Sequence, residues 1–157
     1  MENNEHFMVA AIQLAEEGMV KGDGGPFGAV IVRNCEIIGR GWNQVIVLND
    51  PTAHAEVMAI RDACKRLNNF QLDDCDIYTS CEPCPMCLGA IYWARPRRIF
   101  YACNHDDAAV VGFDDSFIYE EIELPQMNRK IPAIEMLRLD ALKVFKKWAE
   151  KSDKVKY

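Results

Sequence analysis

The order of the predicted elements indicates an α/β protein in which helices cover both faces of a mixed sheet. Apolar residues repeat at helical spacing in some segments and form short β-branched runs in others, in the order helix, strand, strand, helix, strand, helix, strand. Elements in this order pack as a three-layer α/β/α sandwich. The 157 residues suffice for one domain with a substantial core and are too few for two, so we predict a single domain over residues 1–157.

The first elements are a helix and a hairpin. In residues 6–19 the apolar side chains fall three or four positions apart, which is the pattern of one face of an amphipathic helix. Residues 27–33 and 36–42 are apolar, β-branched runs joined by a two-residue turn, and they predict paired strands. Glycines precede the first strand, and taken alone they favour a plain turn; the alternative is a loop whose backbone approaches a ligand.

Helices and strands then alternate. The tripeptide Asn-Asp-Pro at residues 49–51 is a turn and cap signal, and a helix is predicted over residues 54–67. Residues 76–80 predict a buried strand. Pro85 suits the first turn of a helix that continues to residue 94, and residues 98–103 predict the next strand.

The C-terminal part of the chain has a weaker pattern. A short helix is predicted over residues 106–111. After Gly112 the pattern weakens, and another turn of helix is predicted over residues 116–121. A short extended piece is predicted near residues 134–137, and a final helix over residues 140–150.

Charge and cysteine content restrict the class of protein. The sequence has 18 Lys and Arg against 24 Asp and Glu, a net charge of −6, and no basic run that could follow a phosphate backbone, so nucleic-acid binding is disfavoured. The seven cysteines are an odd number, and the polar, acidic start does not resemble a signal peptide. No apolar run has the length of a membrane span. We therefore predict a cytoplasmic protein that does not interact with membranes.

Two short motifs provide three metal-ligand side chains. His54 lies at the start of one predicted helix, and Cys84 and Cys87 lie three residues apart at the start of another. Three protein ligands leave the fourth position of a zinc ion open, as in a catalytic site, whereas structural sites use four. Glu56, two residues after His54, can serve a water molecule in the open position. Alone, the Cys-x-x-Cys pair would equally fit a redox pair or half of a structural zinc site.

At these residues the chain resembles the cytidine deaminase-like superfamily of zinc deaminases, whose signature is His-x-Glu followed by Pro-Cys-x-x-Cys. Longer segments resemble the bacterial guanine deaminase branch of this superfamily. These segments are residues 24–30 (GGPFGAV), 49–56 (NDPTAHAE), 78–95 (YTSCEPCPMCLGAIYWAR) and 112–119 (GFDDSFIY). The resemblance covers about residues 7–119 and weakens from Lys130 onward.

The resemblance implies a reaction and an assembly. The reaction is hydrolytic deamination of guanine to xanthine and ammonia by a zinc-bound hydroxide, with Glu56 as proton shuttle and one Zn²⁺ per chain held by His54, Cys84 and Cys87. The fold has a central five-stranded mixed sheet. The unit is a homodimer, with the C-terminal segment, about residues 130–157, swapped onto the partner subunit.

The resemblance also implies residues that bind a purine base. Asn43 hydrogen-bonds the purine, Phe27 and Phe113 form aromatic walls, and Asp115 reads the base, with Asp114 as the alternative acidic group. Tyr157 closes the site. Each residue also has a structural interpretation, because Phe27 and Phe113 could be core residues, the two aspartates a helix cap, and Asn43 a turn residue.

Other functions stay open at this point. Within the enzyme class they are deamination of guanosine, of another aminated purine or triazine, or of adenosine in tRNA, the last disfavoured by the acidic charge balance. A non-catalytic zinc-binding module is the alternative outside that class. The presence of Glu56 argues against such a module, because a structural zinc site has no use for a carboxylate that does not bind the metal.

Overall fold

A 17-residue helix and a tight hairpin come first, after which helices and strands alternate. The computed structural model describes residues 4–157. The first unit ends at Asp115 and contains α1 (Glu5–Lys21), β1 (Gly28–Arg33), β2 (Glu36–Trp42), α2 (Val45–Leu48), α3 (Ala55–Leu67), β3 (Asp76–Cys81), α4 (Pro85–Ala94), β4 (Arg98–Cys103) and α5 (His105–Val110). The second unit, Ser116–Tyr157, contains α6 (Ser116–Glu123), a 3₁₀ turn (Gln126–Asn128) and α7 (Arg138–Glu150).

The strands of residues 4–157 form a single mixed sheet in the order β2-β1-β3-β4. β1 pairs antiparallel with β2 and with β3, whereas β3 and β4 are parallel. The predicted count of five strands is therefore corrected to four. Residues 134–137 form no strand. They follow Pro132, and Leu137 has a left-handed backbone with φ of 52°, a conformation that an extended ladder does not accommodate.

Helices cover both faces of this sheet. On one face, Phe7 of α1 packs against Val30 and Tyr78. On the other, side chains of α3 and α4 pack against Ile31 and Ile77. The predicted three-layer α/β/α sandwich is confirmed, because neighbouring residues of β1 and of β3 alternate between the two helical layers.

Glycines in β2 bring α3 close to the sheet. A Cβ atom at Gly41 would lie 2.2 Å from the carbonyl oxygen of Ala55 and 2.3 Å from the nitrogen of Ala59. At Gly39 it would lie 2.6 Å from the carbonyl oxygen of Ala59. The backbone of α3 therefore lies directly on β2, and this contact fixes the first turn of the helix.

The predicted helices form close to the expected residues. α1, α3 and α4 begin and end within two residues of the predicted bounds. The apolar residues Val45–Leu48 form a separate short helix that the turn signal did not predict. Within the described part of the chain, every helix is too short or too polar to cross a bilayer.

Candidate active site

His54 is held at the start of α3 by the turn before it. Its backbone is extended, with φ −74° and ψ 155°, and the helix begins at the next residue. The carboxylate Oδ1 of Asp50 accepts hydrogen bonds from the backbone N–H of Thr52 at 2.8 Å and from its hydroxyl at 2.7 Å. These hydrogen bonds lower the pKa of Asp50. The turn is thereby closed two residues before His54.

The two cysteines lie at the start of α4. Cys84 is the residue before the helix, with φ −63° and ψ 167°. Pro85 occupies the first helical position, where a backbone N–H would have no partner within the helix, so the lack of one in proline costs no hydrogen bond. Cys87 lies three residues later and is fully buried. Both sulfur atoms therefore project from the first turn, where the helix dipole favours negative charge.

The three side chains converge at distances that suit zinc. The Nδ1 atom of His54 lies 3.6 Å from Cys84 Sγ and 3.5 Å from Cys87 Sγ, and all three ligand atoms lie within 4.8 Å of one another. A tetrahedral zinc with bonds of about 2.3 Å to sulfur and 2.05 Å to nitrogen separates those atoms by about 3.6 Å. The donor set, one imidazole and two thiols, is also one that zinc prefers.

The electrostatics of the cluster favour a cation. A hydrogen bond from the Cys87 thiol, together with the neighbouring His54, lowers the pKa of Cys84 to about 4. The same hydrogen bond and burial raise the pKa of Cys87. The hydrogen bond with Cys84 raises the pKa of His54. The lowered pKa of Cys84 favours its thiolate form, which is the form that binds a metal.

Glu56 lies beside the cluster and is not one of its three converging ligands. Its side chain is buried, and burial raises its pKa. It interacts with the thiol of Cys87, and its Oε1 accepts a hydrogen bond from the hydroxyl of Thr79 at 3.4 Å. A buried carboxylate therefore lies beside Cys87, one of the three residues that could hold a metal.

Asn43 follows β2, and hydrogen bonds hold both its backbone and its side chain. Its backbone N–H donates to the carbonyl of Phe27 at 2.9 Å, and its side-chain Oδ1 accepts from the N–H of Val45 at 3.2 Å. Its side chain is buried against Gly24, where a Cβ atom would lie 2.0 Å from Oδ1. One bond to Oδ1 is thus made within the protein, and the amide NH₂ is a further group of Asn43 that can bind a ligand.

Phe27 and Phe113 meet edge to face. Their ring centroids are 4.9 Å apart and the planes cross at 88°. Gly25 lies against both rings, and a Cβ atom there would lie 2.8 Å from Phe113 and 3.0 Å from Phe27. Asp115 lies near Cys84, since burial and the negative charge of that cysteine raise the pKa of Asp115.

A backbone contact links the metal-ligand cluster to the pair of rings. The N–H of Gln44, the residue after Asn43, donates to the carbonyl of Ala53, the residue before His54, at 2.9 Å.

The remaining predicted residues differ in exposure. Asp115 is half-buried, whereas Asp114 is exposed. Tyr157 belongs to the second unit, where its side chain is exposed. The roles assigned to all these residues from the sequence stay predictions.

Sequence reasoning missed three features of the site. It did not single out Thr79, the hydrogen-bond donor to Glu56, or Ser80, whose Oγ accepts from the N–H of Gly28 at 3.0 Å. It also favoured a plain turn for Gly24 and Gly25, which pack against Asn43 and the two rings. Two neighbouring hydroxyl residues inside a strand that was predicted to be buried were the available signal.

Comparison with known proteins agrees with this geometry. Residues 1–103 match the family model described as the cytidine and deoxycytidylate deaminase zinc-binding region. Guanine deaminase from Bacillus subtilis (strain 168) is 57% identical over 155 residues, covering 99% of each chain. The X-ray structure of guanine deaminase from Bacillus subtilis superposes with a TM-score of 0.96 and covers 99% of each chain.

More distant relatives share the same architecture. The tRNA-specific adenosine deaminase of Aquifex aeolicus (strain VF5) is 38% identical over 128 residues, 81% of each chain. A structure of guanine deaminase from Nitrosomonas europaea is 31% identical, with a TM-score of 0.67, covering 73% of this chain and 66% of that one. The resemblance deduced from the motifs is confirmed. The chain therefore belongs to the cytidine and deoxycytidylate deaminase family of zinc-dependent hydrolytic enzymes.

Proposed function

We propose that this chain catalyses the hydrolytic deamination of guanine to xanthine and ammonia. The observation that carries the proposal is the match to guanine deaminase from Bacillus subtilis, which extends over essentially the whole chain, the second unit included. The tRNA adenosine deaminases match a smaller share of the chain at lower identity. The acidic net charge of −6 also disfavours a polynucleotide substrate.

The proposed metal is one zinc ion per chain, held by His54, Cys84 and Cys87. When bound, zinc supplies a Lewis acid that lowers the pKa of a water molecule to about 7. The buried carboxylate of Glu56 would accept a proton from the attacking water molecule and transfer it to a ring nitrogen as the water oxygen bonds to C2 of guanine. Glu56 then carries the second proton to the 2-amino nitrogen. The C2–N bond breaks, ammonia leaves, and C2 keeps the oxygen as the carbonyl of xanthine.

The proposed base-binding residues complement guanine. The NH₂ of Asn43 donates to a ring acceptor such as N7 or O6, and the carboxylate of Asp115 accepts from N1–H. Asp115 is preferred to Asp114 because it is half-buried and lies near Cys84. Phe27 and Phe113 enclose the ring, and Tyr157 closes the site. The odd number of cysteines, seven, and the lack of a disulfide among them in the described residues support our assignment of the enzyme to the reducing cytoplasm.

The test of the proposed function is ammonia release, with ultraviolet spectra, from the zinc-loaded protein supplied with guanine, guanosine, adenine, adenosine, cytosine or cytidine. We expect turnover of guanine and spectra of xanthine. Turnover of guanosine in preference to guanine would contradict the assigned pocket, because it would require space for ribose. Absence of turnover with all six compounds would contradict the enzyme assignment and favour a non-catalytic zinc module.

We further propose a homodimer in which the segment of about residues 130–157 is exchanged. In the second unit the apolar side chains of Ile131, Ile134, Met136 and Leu139 are all at least 72% exposed. β4 is an edge strand, and its Tyr101 is 52% exposed. Exposed apolar side chains and an unpaired strand edge are each typical of an interface.

The mass in solution tests the dimer. Light scattering should give twice the chain mass of 17.9 kDa. A monomer at micromolar concentration would contradict the dimer.

Complementation tests the exchange itself. A Glu56→Gln chain is co-expressed with a chain that lacks residues 155–157, and each is also purified alone. If the tail acts on the partner's site, the mixed dimer contains one site with both Glu56 and Tyr157, and activity returns well above that of either parent. If each tail closes its own site, no site in the mixture is complete, and activity stays at the level of the parents.

A further inference from the structure

A hydroxyl group is buried on the sheet face that α3 covers. Thr79 lies in β3, between β1 and β4, where it pairs with Ala29 and Tyr101, and only 1% of it is exposed. Ile77, two positions earlier on β3, belongs to the apolar cluster beneath α3 and α4. Valine has nearly the same shape as threonine and would fill this position without burying a polar group. Because burying a hydroxyl without a hydrogen bond costs free energy, this hydroxyl is expected to have a hydrogen-bond partner.

That partner is the carboxylate of Glu56. The Oγ1 atom of Thr79 donates to Glu56 Oε1 at 3.4 Å, between two buried side chains that are 23 residues apart in sequence. The hydrogen bond spans two layers of the fold, since Thr79 belongs to the sheet and Glu56 to the first turn of α3. It ties one carboxylate oxygen to a central strand and leaves Oε2 available for other contacts.

The carboxylate of Glu56 has two further partners. Its own backbone N–H and the Cys87 thiol both interact with it. The backbone N–H belongs to the same residue, and Cys87 is one of the three candidate metal ligands. The hydroxyl of Thr79 is therefore the donor that reaches the carboxylate from the sheet without being a candidate metal ligand.

From these contacts we propose that Thr79 is a positioning residue of the reaction, which orients the Glu56 carboxylate for proton transfer. The inference rests on the proposed function, because it assigns proton transfer to Glu56. A carboxylate that swings away from the reacting atoms carries protons less often, even when substrate and metal bind normally. Loss of the hydroxyl therefore lowers kcat and leaves KM and zinc binding unchanged.

The test compares three variants in zinc-loaded, full-length protein. Thr79→Val removes the hydroxyl with little change in shape, and Thr79→Ser restores it. Ile77→Val is the matched control, a small loss of packing two residues earlier on the same strand. We expect Thr79→Val to lower kcat by about 10- to 100-fold with unchanged KM for guanine and unchanged zinc content. Thr79→Ser should recover most of kcat, and Ile77→Val should change only the melting temperature.

Three results would overturn the proposal. They are a wild-type kcat in Thr79→Val, a loss that Thr79→Ser does not restore, or an equal loss in Ile77→Val. Crystal structures provide a readout that does not depend on activity. Glu56 should have one carboxylate orientation in the wild type and several in Thr79→Val, and a single unchanged orientation in the variant would also contradict the proposal. If the wild type does not turn over guanine, the proposed function fails, and the two structures still decide whether Thr79 orients Glu56.

Discussion

The two faces of the sheet are built from different kinds of side chain. Under α1 the contacts are bulky and aromatic, with Phe7 beside Tyr78 and the ring of Tyr78 stacked on Phe100 at 4.5 Å. Under α3 the side chains are aliphatic, from Ile31 and Ile77 of the sheet to Ala59 and Ala63 of the helix. On both faces a strand glycine brings a helix backbone close, Gly28 for α1 and Gly39 and Gly41 for α3, so the two faces differ in their aromatic content.

The candidate chemistry is on the face beneath α3. His54 and Glu56 begin the helix that lies against Gly39 and Gly41, and Thr79 contacts Glu56 from the sheet below. Proton transfer depends on close positioning of this kind. We therefore predict that substitutions beneath α3 lower activity, whereas substitutions beneath α1 lower only stability. The following substitutions test that division.

The largest effect is expected from removing a metal ligand. Cys84→Ala should lose bound zinc and lower kcat by at least about a thousandfold, because acidification of water depends on the metal. Cys64→Ala, a half-buried cysteine in the middle of α3, is the control and should keep both. Zinc by elemental analysis and ammonia release are the measurements. Full activity of Cys84→Ala with stoichiometric zinc would contradict the ligand set.

Displacing α3 should have the next largest effect. In Gly41→Ala the new methyl group would overlap backbone atoms of Ala55 and Ala59, so the helix must move and carry Glu56 with it. We expect kcat to fall by about 10- to 100-fold and the free energy of unfolding to fall by about 1–3 kcal/mol. Steady-state kinetics and urea unfolding measure the two. A loss of stability with unchanged kcat would show that the position of the helix is not critical.

A smaller effect is expected where the two rings meet. Gly25→Ala pushes Phe27 and Phe113 apart. KM for guanine should rise about tenfold, equivalent to about 1.4 kcal/mol of binding free energy, while zinc content is unchanged. Unchanged KM would indicate that the rings do not line the base pocket.

The smallest effect on activity is expected from the other face. Val32→Ala, beneath α1, removes buried methyl groups and should lower the free energy of unfolding by about 1–3 kcal/mol. The melting temperature should fall by about 2–4 °C for each kcal/mol. Both kcat and KM should match the wild type at temperatures where the variant is folded. A fall in kcat with the same zinc content would contradict the division between the faces.

Local signals predicted the helix starts that carry the metal ligands. The Asn-Asp-Pro turn before His54 and Pro85 after Cys84 act within a few residues of each ligand, so the sequence alone indicates both. Their convergence to 3.5 Å and 3.6 Å depends on how two helices lie on one face of the sheet. No short pattern describes that arrangement, and the family resemblance supplied the pairing of the two motifs.

Other features depend on contacts between distant segments. The hydrogen bond of Thr79 to Glu56 requires α3 to lie over β3, which periodicity does not specify. The contacts of Gly24 and Gly25 require β2 and the segment at Phe113 to meet the turn. The fifth strand was expected from the family resemblance, and the apolar pattern predicted an extended piece over residues 134–137. That piece does not form a strand, because a strand needs extended dihedrals and Leu137 is left-handed.

The most direct test of the account is guanine turnover by Glu56→Gln at full zinc occupancy. Glutamine keeps the size of the side chain and an oxygen that can accept the hydrogen bond from Thr79, but it cannot carry a proton. We expect kcat to fall by about a thousandfold, with zinc content and melting temperature close to those of the wild type. Retention of kcat near the wild-type value, with zinc bound, would contradict the assignment of proton transfer to Glu56.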